Sequence, residues 1–105
     1  MDPICADLQT KIGELGENAQ QQAADVEAAV ARIRGVSMPS DDSVIADRWI
    51  ASMENLYLSL QDVHQSRLVN DEPRAQRALE TARINNKNAA DAAEEYGMVV
   101  CAREL

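Results

Sequence analysis

Apolar residues recur at helical spacing over three long stretches of the chain. In the first stretch the positions are separated alternately by four and three residues, which places them on one face of a helix. Pro3 favours a helix start, and Gly35, after Arg34, predicts a left-handed cap at its end. The stripe contains one polar residue, Gln22, among its members Leu8, Ile12, Leu15, Ala19, Gln22, Val26, Ala29 and Ile33.

The second and third stretches follow the same rule. Between them, the sequence from Asn70 to Pro73 ends one helix and starts the next within four residues, which predicts antiparallel neighbours. The connection between the first two stretches carries Pro39, and residues 98–101 form an apolar tail that we expect to fold back. The predicted stripes are Ile45, Trp49, Met53, Leu56, Leu60, Val63 and Arg67, and then Ala75, Leu79, Ala82, Ala89, Ala93 and Tyr96.

These patterns predict a single all-α domain over residues 1–105, built as an up-down-up bundle of three long antiparallel helices. Two features weaken the regularity. Gly13 and Gly16 each disfavour a helix by about 1 kcal/mol, so a break there would add a short extra helix at the N-terminus. The run from Asn85 to Asn88 interrupts the third stripe and is a candidate kink.

Composition supports the helical prediction and restricts the classes of molecule that the protein is expected to bind. Seventeen residues are alanine, none is phenylalanine, and the net charge is −8 with the acidic excess spread along the chain. This charge opposes binding to nucleic-acid phosphate or to an anionic membrane surface, and no apolar run is long enough to span a bilayer. We therefore expect a protein partner or a small ligand, no nucleic acid, and a monomer or weak dimer.

The two cysteines, Cys5 and Cys101, lack the spacing of a redox or zinc motif. An intrachain disulfide, two buried thiols and an intermolecular bridge are all compatible with the pair. A straight three-helix bundle separates them by about the ~36 Å length of a 24-residue helix, whereas a disulfide needs Cα atoms within about 7 Å. The bond would therefore require the first helix to break between Gly13 and Gly16.

No residue pattern indicates catalysis or a cofactor. His64 is the only histidine and has no second histidine or cysteine at metal-ligand spacing, so we interpret it as an ordinary helical residue. Adjacent carboxylates are interpreted as solvated faces and a helix cap; these are Asp41 with Asp42 and Glu94 with Glu95. We expect no enzyme, no cofactor and no metal site.

Two aromatic residues of the second helix have two possible roles. Trp49 and Tyr57 lie at helical spacing, which is typical of core residues, but exposed aromatic side chains can also anchor a partner. The sequence favours the core for both.

The residues from Asn88 to Cys101 carry a resemblance to a known class. An alanine-rich helix that closes with Tyr96, Gly97, three apolar residues and a cysteine resembles the extracytoplasmic helical domains of actinobacterial envelope proteins, either lipoproteins or single-span proteins. Cys5 and the excess of arginine over lysine, eight to two, are similar to that class as well. The resemblance implies export and a disulfide between the two cysteines, and it carries no active site.

A second comparison is less favourable. Small acidic helical hairpins of type VII secretion carry a Trp-x-Gly turn, whereas Trp49 here is followed by Ile50 and Ala51 within a predicted helix.

The expected function is a non-enzymatic extracytoplasmic interaction or ligand-binding module of a cell-envelope protein. The alternative is a cytosolic structural or adaptor protein that pairs through its helices and keeps both cysteines reduced. The residues after Met1 do not read as a signal peptide, so export would require a signal outside this chain.

Overall fold

The computed structural model describes residues 2–35 and 43–96, which form four helices. They are α1 (Asp2–Lys11), α2 (Ala19–Arg34), α3 (Ser43–Leu68) and α4 (Glu72–Tyr96). The all-α class is confirmed. The prediction of three long helices was wrong, because the first apolar stripe is divided between α1 and α2. The break lies at Gly13–Gly16, as the alternative with an extra N-terminal helix required.

Side-chain contacts fix the direction of each neighbouring pair of helices. Gln22 reaches back to Glu14, and Arg32 further along α2 reaches Asp7 in α1, so these two helices are antiparallel. The same test shows that α2 and α3 are antiparallel, because Arg67 contacts Gly16 and Arg34 contacts Glu54. It also shows that α3 and α4 are antiparallel, because Arg74 contacts Asp62 and Arg48 contacts Glu95. The described helices therefore alternate in direction along a body of 45 by 20 by 19 Å.

The turn between α1 and α2 is held by polar groups in the interior. Gln22 is 4% exposed; its side-chain amide donates to the Glu14 carbonyl oxygen at 2.7 Å and accepts from the Gly16 N–H at 2.7 Å. The Arg67 guanidinium donates to the Gly16 carbonyl oxygen from the end of α3. Gly16 has φ +88°, and a Cβ there would meet Leu79 Cδ1. Gln22, the one polar residue in the first apolar stripe, therefore stabilises this turn through its side-chain amide.

The turn between α3 and α4 confirms the predicted tight connection. Asn70 adopts φ 58°, and its N–H bonds to the Arg67 carbonyl at 3.2 Å, while the Asp71 N–H bonds to the Ser66 carbonyl at 2.8 Å. This pair of bonds is a Schellman motif, which satisfies the last carbonyls of α3. The Asp71 carboxylate accepts from the Arg74 N–H at 3.2 Å and so caps α4.

Most predicted core positions are buried, but Leu15 is half-buried and Arg67 is exposed. Leu56, Leu60 and Val63 are fully buried and Trp49 is 2% exposed, while α4 contributes mainly alanines that let it lie close to its neighbours. The side chains of Ile45 and Tyr96 lie outside the description. Other confirmed members of the stripes are Leu8, Ile12, Ala19, Val26, Ala29, Ile33, Met53, Ala75, Leu79, Ala82, Ala89 and Ala93.

One local prediction was wrong. Gly35 ends α2 with φ −81° and ψ −7°, a right-handed conformation in which its N–H still bonds to the Arg32 carbonyl at 3.2 Å. At the candidate kink, α4 continues as a helix through Asn85–Asn88, and the Asn85 side chain donates to the Thr81 carbonyl at 3.0 Å. The predictions for the connection around Pro39 and for the tail at 98–101 lie outside the described residues.

The direction of α1 changes the geometry of the cysteine pair. Cys5 is 4% exposed and lies at the end of the bundle where α2 ends, α3 begins and α4 ends. The objection that a straight bundle holds the two cysteines at opposite ends therefore no longer applies. Cys101 lies outside the described residues, so the bond itself stays a prediction.

Candidate functional site

A predominantly apolar surface cavity lies between α2 and α3. This apolar pocket has a volume of about 350 Å³ and is open to solvent, since five of its seven lining residues are exposed. Val30 forms its buried floor and Leu58, 57% exposed, forms one wall. The complete lining is Glu27, Val30, Ala31, Arg34, Glu54, Tyr57 and Leu58.

A second cavity continues the first along the same two helices. This polar pocket has a volume of about 270 Å³ and shares Glu27 and Tyr57 with the apolar pocket. The two pockets together form what we call the α2–α3 groove. It extends on α2 from Gln20 to Arg34, about 21 Å at 1.5 Å per residue. The remaining residues of the polar pocket are Gln20, Ala23, Ala24, Gln61, His64 and Gln65.

Tyr57 stands where the two pockets meet. Its ring is half-buried against the core, and its hydroxyl accepts a hydrogen bond from Gln61 Nε2 at 2.6 Å. The hydroxyl is also hydrogen-bonded to the Glu27 carboxylate, and this bond, followed by partial burial and the charge of Glu27, raises the pKa of Tyr57 above its usual value of 10.0. The ring and the carboxylate are therefore fixed relative to each other at the centre of the groove.

The charges of the groove are unevenly compensated. Arg34 forms an ion pair with Glu54 at one end. Glu27 forms no ion pair with any residue of the described ranges, and its side chain is hydrogen-bonded there to the neutral Tyr57 hydroxyl. An exposed carboxylate with one accepted hydrogen bond keeps further lone pairs for a donor. The groove therefore combines an apolar depression with one uncompensated negative charge.

A third cavity, of about 410 Å³, lies between α3 and α4 and is lined by small and polar side chains. Its basic residue, Arg48, already pairs with Glu95 at 2.6 Å, and Asp91 is on the opposite wall. It offers no apolar anchor comparable with Leu58 or Tyr57, and we give it no role.

The structure gives different surroundings to Trp49 and Tyr57, which the sequence assigned alike to the core, and it places His64 in the groove. Trp49 is a core residue as predicted, whereas Tyr57 is both a core contact and a wall of the groove. His64 is half-buried and lines the polar pocket, next to Gln61 and Gln65. No group of three or more potential metal-binding side chains occurs within 2–35 and 43–96.

The remaining sequence candidates lie elsewhere. Glu94 and Glu95 are exposed on α4, away from the groove, while Asp41 and Asp42 lie outside the described residues. No helix in the described part of the chain has the length and apolar content needed to cross a membrane.

Sequence reasoning missed Glu27 and Leu58, which are central to the groove. Leu58 could have been recognised in the sequence as an exposed apolar residue, because it is a leucine that lies off the buried stripe of α3. Glu27 carried none, because one acidic residue among eighteen is distinguished only by the neighbours that folding gives it.

Comparison of the chain with protein-family models, with curated proteins and with solved structures found no match. The function therefore has to be argued from the groove itself.

Proposed function

We propose that this protein is a non-enzymatic interaction module whose α2–α3 groove receives a helical segment of a partner protein. The observation that carries the proposal is the apolar pocket, where Leu58 is 57% exposed beside the half-buried ring of Tyr57. Aromatic residues beside an apolar depression are typical of the anchoring centre of protein interfaces.

The shape of the groove favours a helix over a small molecule. Small ligands are usually enclosed on most sides, whereas this groove is open along about 21 Å of two antiparallel helices. A third helix fits such a depression by packing its side chains between the ridges of the first two. An amphipathic helix that places its apolar face in a groove is a common mode of peptide recognition.

We place this module on the extracytoplasmic side of a cell envelope. Support comes from the resemblance of residues 88–101 to envelope domains and from the position of Cys5 at the end of the bundle where α4 finishes. A disulfide between Cys5 and Cys101 would persist only in an oxidising compartment.

The test compares two substitutions on surface residues of equal exposure. Leu58 in the groove is 57% exposed and Ile84 on α4 is 58% exposed. Leu58→Glu should abolish complementation of a deletion strain, because it puts a second uncompensated negative charge into the apolar pocket, beside that of Glu27. Ile84→Glu should complement normally. Circular dichroism and urea unfolding confirm that both variants fold.

Three outcomes would contradict the proposal. Normal complementation by folded Leu58→Glu shows that the groove is not the binding surface. Equal loss with Ile84→Glu shows that function depends on the general apolar surface instead. Concentration-dependent self-association that Leu58→Glu abolishes would assign the groove to a second copy of this chain.

A further inference from the structure

We infer that Glu27 sets the charge of the partner: the helix that occupies the α2–α3 groove carries a lysine or arginine one turn away from the apolar side chain that enters the pocket. This inference rests on the proposed function and specifies the chemistry of the partner at the same site.

The spacing follows from α2 itself. Glu27 precedes Val30 by three residues and Ala31 by four, so it lies about one helical turn along α2 from these two apolar residues of the pocket lining. A partner helix lying along the groove presents side chains at the same interval through positions i and i+3 or i+4. An apolar residue and a basic residue at that interval would occupy the pocket and meet Glu27 together.

The charges that face the groove favour a cation at this point. Among the lining residues, α2 contributes Glu27 and Arg34, while α3 contributes Glu54 and His64. Arg34 and Glu54 neutralise each other, and His64 lies in the polar pocket on the far side of Tyr57 from that pair. The remaining charge is that of Glu27, which its hydrogen bond with Tyr57 holds in place.

A second copy of this chain is a less favourable occupant than a basic helix. Each copy carries a net charge of −8, so two copies repel each other. A basic amphipathic helix is attracted both by Glu27 locally and by the whole protein.

The experiment measures binding of synthetic helical peptides to the purified full chain by fluorescence anisotropy. Three peptides of about 18 residues share a central leucine and differ only four residues to either side of it, where they carry lysine, glutamine or glutamate. The lysine peptide should bind tightest, and Glu27→Gln should weaken it by about two- to fivefold, the range measured for exposed ion pairs. Added salt should remove the difference.

Glu80→Gln is the matched control, since it removes one exposed carboxylate from α4, outside the groove, and changes the net charge equally. It should leave the affinity for the lysine peptide nearly unchanged. Equal weakening by Glu80→Gln, equal binding of the three peptides, or no binding of the lysine peptide overturns the inference. The complementation result for Leu58→Glu judges the proposed function separately, so the failure of one is distinguishable from the failure of the other.

Discussion

Two residues near the first turn, Gly16 and Gln22, hold the chain where it reverses direction. Gly16 supplies the positive φ of +88° and the space that Leu79 occupies. Gln22 accepts from the buried Gly16 N–H and donates to the Glu14 carbonyl, so one side chain bonds two backbone groups of the turn. Gln22 does not look decisive in the sequence, because one glutamine in an apolar stripe resembles a small defect of a helix. Gly16, in contrast, is one of the two glycines at which the sequence indicates a candidate break.

Substitution of the two glycines by alanine separates their roles. Gly16→Ala should lower the free energy of unfolding by at least about 1 kcal/mol, because an L-residue is strained at this φ and its Cβ meets Leu79. Gly13→Ala should change it by less than about 0.5 kcal/mol, since the nearest atom to its Cβ is Glu17 Oε2 at 3.9 Å. Urea unfolding at neutral pH measures both values. Equal effects would mean that the turn does not depend on the conformation of Gly16.

At the scale of whole elements, α3, α4 and the turn between them could be predicted because their signals agree. The apolar spacing marks the buried face, and the Asn70–Pro73 sequence supplies a left-handed residue, a cap and a helix start in order. The break between α1 and α2 could not be predicted from periodicity. Leu8, Ile12, Ala19 and Val26 are all buried although the chain turns between them, so the same stripe serves one helix or two.

The attachment of α1 to α2 includes a small charge cluster. Asp7 lies 3.0 Å from both Lys11 Nζ and Arg32 Nη1, and Arg32 belongs to the last turn of α2. The hydrogen bond from Lys11, then the positive charges of Lys11 and Arg32, lower the pKa of Asp7 below its usual 3.8. A carboxyl whose pKa is lower in the folded state than in the unfolded state stabilises the fold at pH values above its unfolded-state pKa. That stabilisation is lost as the pH falls through its folded-state pKa.

Replacement of Asp7 should therefore change stability in a pH-dependent way. Asp7→Asn should lower the urea midpoint at pH 7. The difference from the unmodified protein should shrink as the pH falls below about 4, the unfolded value, and disappear only below the lowered pKa of folded Asp7. High salt should also reduce it, because all three side chains are substantially exposed. Asp91→Asn, which removes an exposed carboxylate from α4 that forms no ion pair within the described ranges, is the control. A difference that persists unchanged at pH 3 would contradict the electrostatic explanation.

For the whole molecule, the α2–α3 groove is a product of assembly. Tyr57 is distant in sequence from Glu27 and Val30, and the three become one surface only because α2 runs antiparallel to α3. An apolar stripe predicts which residues of a helix are buried, and the four/three spacing did so for most core positions. It does not predict which exposed residues of two different helices will face each other, and for that reason the site was not foreseen.

The topology also determines whether Cys5 and Cys101 can pair. With α1 folded back along α2, Cys5 lies at the end of the bundle where α4 finishes, five residues before Cys101 in sequence. Five residues reach at most about 18 Å, a distance that suffices only if both cysteines are at the same end. A bond closing a loop of roughly a hundred residues would stabilise the fold by about 4–5 kcal/mol in the chain-entropy model, a large share for a core with so many alanines.

Protein purified from an oxidising compartment should therefore have an intact mass two hydrogens below that of the dithiol form and should not react with alkylating reagents until it is reduced. Cys5→Ser, Cys101→Ser and the double variant should lose similar amounts of unfolding free energy, because each change removes the same bond. Gly16→Ala tests whether the turn aligns the two cysteines. If it does, this variant should form the disulfide more slowly than the unmodified protein in a glutathione buffer. Two thiols that alkylate readily without reduction would contradict the disulfide. They would also remove the main support for an extracytoplasmic location and favour a cytosolic protein with both cysteines reduced.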